Sequence, residues 1–138
     1  MREEVEAEFA ARDPNALNLP EKELARFRAF FAPPNLDAKK PASDRVERRK
    51  AKDARFASFF ASNIVPHKTP GYAVVTVSLK AIGAIPGDAS ADQMDATADL
   101  AEDYSHDEVR VSHEQNLILP HIALDDLPAV YEIGRAHV

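Results

Sequence analysis

The chain has 138 residues, enough apolar content for one core, and 17 basic against 23 acidic side chains, a net charge of −6. It contains no cysteine, which excludes a disulfide framework, a thiolate nucleophile and any cysteine-ligated iron–sulfur cluster within the chain. The charge is unevenly spread: residues 1–70 carry 14 basic and 11 acidic side chains (+3), residues 71–138 carry 3 and 12 (−9), so the acidic half would repel phosphates and general nucleic-acid binding is not expected.

The N-terminus is too acidic for a signal peptide and no apolar run approaches membrane-spanning length, so a cytoplasmic protein with no membrane partner is expected. Val5 and Phe9, four apart, predict a short helix over 3–11, broken at Asp13-Pro14-Asn15. A second helix follows Pro20, with Leu24, Phe27 and Phe31 at helical spacing, and Pro33-Pro34 ends it. Residues 35–42 read as a linker. Ser43 then caps one helix running to about 62. Its first half interleaves Arg45, Arg48, Arg49, Lys50, Lys52 and Arg55 with Asp44, Glu47 and Asp53, which reads first as a solvated face and second as an RNA- or cofactor-contacting arm. Phe56, Phe59 and Phe60 in its second half read as packing.

A stiff connector over 66–71 leads to a strand over 72–82, where Ala73, Val75, Val77, Leu79 and Ala81 alternate with Thr76, Ser78 and Lys80. After a turn-rich loop over 83–89, Ser90 with Gln93 forms a capping-box signature for a helix to about Tyr104. Met94, Thr97, Ala98 and Ala101 are its expected buried stripe. Residues 108–122 predict a tight hairpin: Val109, Val111, Leu117 and Leu119 on an aliphatic face, Arg110, Ser112 and Asn116 on a polar one, Gln115 at the bend. Asp125 or Asp126 is expected to cap a last helix with Leu127, Val130 and Tyr131 inward.

From Gly71 the order is strand, helix, strand, strand, helix. This predicts an α+β fold, a ferredoxin-like half-domain whose antiparallel sheet keeps one open face, preceded by a helical N-terminal segment. The open face is expected to carry Thr76, Ser78, Lys80, Arg110, Ser112 and Asn116, a polarity suited to a partner or cofactor.

Several segments agree, in order, with one family: Pro66-His67-Lys68-x-Pro70-Gly71-Tyr72, Val77-Ser78-Leu79-Lys80-x-Ile82-Gly83, Pro86-Gly87-Asp88-Ala89-Ser90-Ala91-Asp92-Gln93-Met94, Leu100-Ala101-Glu102-x-Tyr104-Ser105 and Arg110-Val111-Ser112-His113-Glu114-Gln115-Asn116-Leu117, then Asp126-Leu127-Pro128. The stretch from 66 to about 132 resembles the second ferredoxin-like half-domain of siroheme-dependent sulfite and nitrite reductases. The resemblance implies that residues 1–65 are a helical segment and linker from the preceding part of the parent enzyme, and that 66–132 are the half-domain. It implies six-electron reduction of sulfite to sulfide, or nitrite to ammonia, by siroheme and a [4Fe–4S] cluster in the parent. Its partners would be the first half-domain, the siroheme domains and an electron donor, a ferredoxin or flavoprotein.

The first copy in that family usually presents Arg-x-Thr-x-Arg-Gln toward siroheme and the bound anion. Arg110, Ser112 and Gln115 match that pattern, but Glu114 stands where the second arginine would be. The resemblance therefore points to cofactor support rather than direct sulfite binding, with Arg110, Ser112, Gln115, Asn116 and Lys80 as cofactor-binding candidates and none as a catalytic residue. The cluster cysteines are expected beyond residue 138, as Cys-x5-Cys and Cys-x3-Cys, and this chain alone is expected to be inactive.

Residues 133–138, Ile-Gly-Arg-Ala-His-Val, interrupt the last helical stripe and place a glycine mid-helix, a cost of about 1 kcal/mol. They are also what a common sequencing-adapter sequence would encode, so a non-native tail is expected there. The five histidines lack metal-ligand spacing. The competing class is a non-enzymatic ferredoxin-like module that binds RNA or homodimerises. Central strand positions without Phe or Tyr argue against RNA.

Overall fold

The computed structural model describes residues 2–137 except 14, 16, 17, 81, 82 and 84. Pro14 of the first break, Ala81 and Ile82 at the end of the expected long strand, and Val138 of the expected tail lie outside the described residues. Residues 1–35 and 36–138 form two compact units. The first holds α1 (Arg2–Ala10) and α2 (Glu21–Phe30), and neither helix buries a residue.

In the second unit, α3 (Asp44–Lys52) and α4 (Ala54–Asn63) replace the one helix expected there. Ser43 caps α3 by accepting from Val46 N–H. Asp53 makes the break, because its carboxylate accepts from the N–H groups of Arg55 at 2.9 Å and Phe56 at 3.1 Å. A short acid that bonds the backbone locally competes with helix continuation, and here that competition wins. The Phe56 amide, and then the Arg49 guanidinium, hold the Asp53 carboxyl below its ordinary range.

β1 (Ile64–Pro66) follows at once, then β2 (Tyr72–Ser78). β1 is a strand not expected from sequence, and β2 ends sooner than the alternation implies. Between them Gly71 has φ +84°, and a Cβ there would lie 2.4 Å from Lys39 Cβ. The 36–42 segment crosses this turn, with Lys39 N–H donating to Pro70 C=O at 2.9 Å. α5 (Ala91–Tyr104) starts with both halves of the capping box formed. Its buried stripe is Thr97, Leu100 and Ala101; Met94 (49% exposed) and Ala98 lie outside it, a correction to the expected stripe. The period 97, 100, 101, 104 is the one that meets the sheet.

β3 (Arg110–Val111) and β4 (Asn116–Ala123) form the hairpin, and a 3₁₀ turn (Leu124–Asp126) leads into α6 (Leu127–His137). Asp125 accepts from Ser43 Oγ across the unit rather than capping α6. The strand order is β1-β2-β4-β3, antiparallel throughout, so β2 and β3 run the same way with β4 between them: a split β-α-β arrangement. This is the α+β, ferredoxin-like half-domain the sequence predicts.

Alternation sends Ala73, Val75, Leu119 and Ile122 to one face, where they meet Val46, Phe56, Leu100, Ala101, Leu127, Val130 and Tyr131 from the helices. Phe56 meets Tyr131 edge-on at 5.2 Å between ring centroids. Arg49 bridges Asp53 and Glu132 beside these rings, so part of the charged helix is structural. Val111, expected on the aliphatic face, is 79% exposed. It pairs with buried Leu117, but it lies on the edge strand, outside the helical cover. Among the described residues of 36–138 no helix covers the other face, where Thr76, Ile118 and Arg110 form one cross-strand row. Among the described residues no helix is long and apolar enough to cross a membrane.

Candidate functional site

The hairpin turn is built by its own polar residues. Ser112 N–H donates to Asn116 C=O at 2.9 Å, and Ser112 Oγ accepts from the N–H groups of Glu114 and Asn116. Gln115 takes φ +61°, the left-handed conformation that closes a three-residue bend, and its N–H donates to Ser112 C=O at 3.1 Å. Lys80 reaches across from the end of β2 and donates to Glu114 C=O at 2.6 Å and to Asn116 Oδ1. The side chain of Gln115 lies against Gly87, and Gly87 N–H donates to Leu79 C=O at 2.8 Å.

Four of the five expected site residues, Lys80, Ser112, Gln115 and Asn116, thus converge on one turn. Ser112, Gln115 and Asn116 line a cavity of about 430 Å³ together with Gly87, Met94 and Val111. Ser112 and Asn116 spend much of their hydrogen-bonding capacity inside the turn, and the Lys80 ammonium has two protein acceptors. Their chemistry at this point is mainly architectural.

Arg110 stands apart from that cluster. Its side chain is 60% exposed, on the uncovered face beside Ile118 and Thr76. Its Nε donates to Glu108 Oε1, while Nη1 and Nη2 have no protein partner among the described residues. The other oxygen of Glu108 lies 2.9 Å from His121 Nε2.

Sequence reasoning placed Glu108 on the hairpin and rejected His121 as a metal ligand, and counted neither among the site residues. The signal that marks them is a pair of features: Glu108 sits two residues before Arg110, a spacing that shares one side of an extended run although β3 itself begins at Arg110, and Pro120 precedes His121. Proline has no N–H for a ladder. The register accordingly slips between Ala73↔Ile122 and Val75↔Leu119, with Pro120 and His121 opposite Val74 as a bulge. His121 N–H donates instead to buried Ser105 Oγ at 3.3 Å.

His121 is 5% exposed and its Nδ1 has no hydrogen-bond partner among the described residues. The rings of His67 (5.3 Å between centroids) and His106 (6.2 Å) meet it edge-on. Burial drives the His121 pKa below the ordinary imidazole value, and the opposing pull of Glu108 does not reverse this. Burial works against ionisation of Glu108 as well, but the hydrogen bonds from Arg110 and His121 outweigh it and hold the carboxyl below its usual range. With Nε2–H donating to a carboxylate, Nδ1 carries the lone pair. Despite this histidine cluster, no group of three or more His, Asp or Glu among the described residues could hold a metal ion.

The family model described as the nitrite/sulfite reductase ferredoxin-like half domain matches residues 65–137. Neither the curated proteins nor the solved structures gave a match.

Proposed function

This chain belongs to the nitrite/sulfite reductase ferredoxin-like half-domain family, and on that premise we propose that its uncovered sheet face supports the siroheme of a siroheme- and [4Fe–4S]-dependent reductase. The reaction is the six-electron reduction of sulfite to sulfide, favoured here over nitrite to ammonia. The observation that carries this reading is an arginine whose Nη edge has no protein partner among the described residues, on a sheet face that no described helix of the same unit covers.

The residues fit an anionic macrocycle. Arg110 can take a carboxylate through two parallel N–H donors, and Ile118 and Thr76 beside it offer a half-apolar platform. They do not fit the cluster: with no cysteine in the chain, thiolate ligands would come from elsewhere in the parent. When bound, the siroheme and its cluster supply the electron transfer, and this chain's residues bind and orient. Lys80, Asn116, Ser112 and Gln115 hold the hairpin turn that ends this face, and the remaining sides would be closed by the first half-domain and the siroheme domains. A ferredoxin or flavoprotein would deliver electrons to the parent. RNA binding is less favoured, since the row Thr76–Ile118–Arg110 holds no aromatic on which a base could stack.

Arg110→Gln in the full-length parent tests the reading. Losing a charge-assisted pair of hydrogen bonds, about 1.5–3 kcal/mol, should weaken siroheme retention at least ~10-fold, read as Soret absorbance per mole of purified protein. Wild-type siroheme content and retention in the variant would contradict it.

A further inference from the structure

We propose that Glu108 and His121 are positioning residues for Arg110: the buried imidazole fixes the carboxylate, the carboxylate fixes the guanidinium by its Nε, and the Nη1/Nη2 edge is left aimed outward for a carboxylate ligand. The inference rests on the reading of Arg110 given above, and adds two residues to it.

The geometry is that of a three-member relay. An exposed arginine on an edge strand has many rotamers, and ordering it at the moment of binding costs affinity. Glu108 removes much of that freedom in advance, because it holds the one guanidinium nitrogen that a ligand gripping the Nη edge does not need. Glu108 is itself held from behind, since His121 Nε2 takes its second oxygen. The imidazole can hardly drift: the β4 bulge seats its backbone on Ser105, and two aromatic rings close on it.

The groups facing His121 set its protonation. These are Glu108 and His106 from the α5–β3 connection, His67 from the β1–β2 connection with Tyr72 behind it, and Arg110 beyond Glu108. Lys39 Nζ lies over the Tyr72 ring at 5.0 Å. Glu108 is the only carboxylate among them. A proton added to His121 would sit on Nδ1, which has no acceptor among the described residues, so acid should displace the ring and loosen the relay.

Two effects of Glu108 on an anion oppose each other, which makes the proposal decidable. As a nearby negative charge it should repel a carboxylate; as a positioner it should help bind one. The test uses the full 138-residue chain, ¹⁵N-labelled, with uroporphyrin, a metal-free macrocycle bearing eight carboxylates, as the probe at about pH 7.5. Positioning predicts that the Arg110 Nε–H signal is protected from solvent exchange in the wild type and in Glu108→Gln, which keeps an acceptor, and is lost in Glu108→Ala. Uroporphyrin affinity should fall about tenfold in Glu108→Ala and be retained in Glu108→Gln. Without ligand, the Arg110 Nε–H and His121 ring signals should titrate with a shared midpoint on acidification.

Equal protection in Glu108→Ala, or tighter uroporphyrin binding by that variant, would make Glu108 a bystander or competitor and overturn the relay. Separate midpoints would remove His121 from it. Protection that behaves as expected, beside a wild-type chain that shifts no Arg110 signal with uroporphyrin, would instead overturn the anion-binding reading of Arg110 on which the inference rests.

Discussion

The two faces of the four-stranded sheet are made by the same strands and hold opposite chemistry. One face is sealed: Val75, Leu119 and Ile122 are almost wholly buried beneath four helices. The other presents Thr76, Ile118 and Arg110 in a row, with no described helix of the same unit above them. One residue along a strand separates the two roles, so the period of two divides stability from recognition. Substitutions on the first face should be felt in folding, and those on the second in binding.

Leu119→Ala should break the sealed face most severely. Its side chain is completely buried, and the truncation should cost about 2–5 kcal/mol in chemical denaturation, with urea melts the direct measure. A loss below about 1 kcal/mol would mean that the core does not close on this strand.

Acid should act next, through His121. Its folded pKa lies below the ordinary value of about 6.5, so the folded chain binds fewer protons than the unfolded one just under that pH. Stability is therefore complete above about pH 6.5 and declines as pH falls beneath it, and Glu108, whose pKa is also lowered, adds a further loss below its own ordinary value of 4.5. A thermal melt series from about pH 7.5 to 5 should show the first decline in the wild type and a flatter profile in His121→Gln.

Ser90→Ala removes one half of the capping box at the start of α5, the Ser90 Oγ that accepts from Gln93 N–H, and should cost about 1 kcal/mol, while the backbone N–H of residue 90 still donates to Gln93 Oε1. Thr76→Ala marks the small end of the scale. On the uncovered face it should shift unfolding by no more than about 0.5 kcal/mol, which urea melts of paired variants would resolve.

Much of this division was legible in the residues themselves. The alternation of Ala73, Val75 and Val77 fixes β2, the Ser90–Gln93 pair starts α5, and Leu127, Val130 and Tyr131 turn inward as their spacing implies. What failed to show did so for local reasons. Asp53 sits in a run of charges that scans as helix, and only its backbone hydrogen bonds reveal a cap. β1 is three residues long, too short to show a period. Val109 and Val111 alternate correctly but lie at an edge, where periodicity says which residues share a face and not whether anything covers it. The link from His121 through Glu108 to Arg110 depends on a bulge, and a bulge breaks the very alternation by which a strand is read.

Side-chain methyl NMR can address the two faces separately, because Ile118 and Leu119 are neighbours in sequence and lie on opposite sides of one strand. Adding siroheme to the chain should move the methyl signals of Ile118 and Thr76 through the ring current of the macrocycle, while those of Leu119, Val75 and Ile122 hold still. Shifts confined to the Leu119 side, or none at Ile118 and Thr76 when siroheme is bound, would contradict the assignment of the uncovered face to the cofactor.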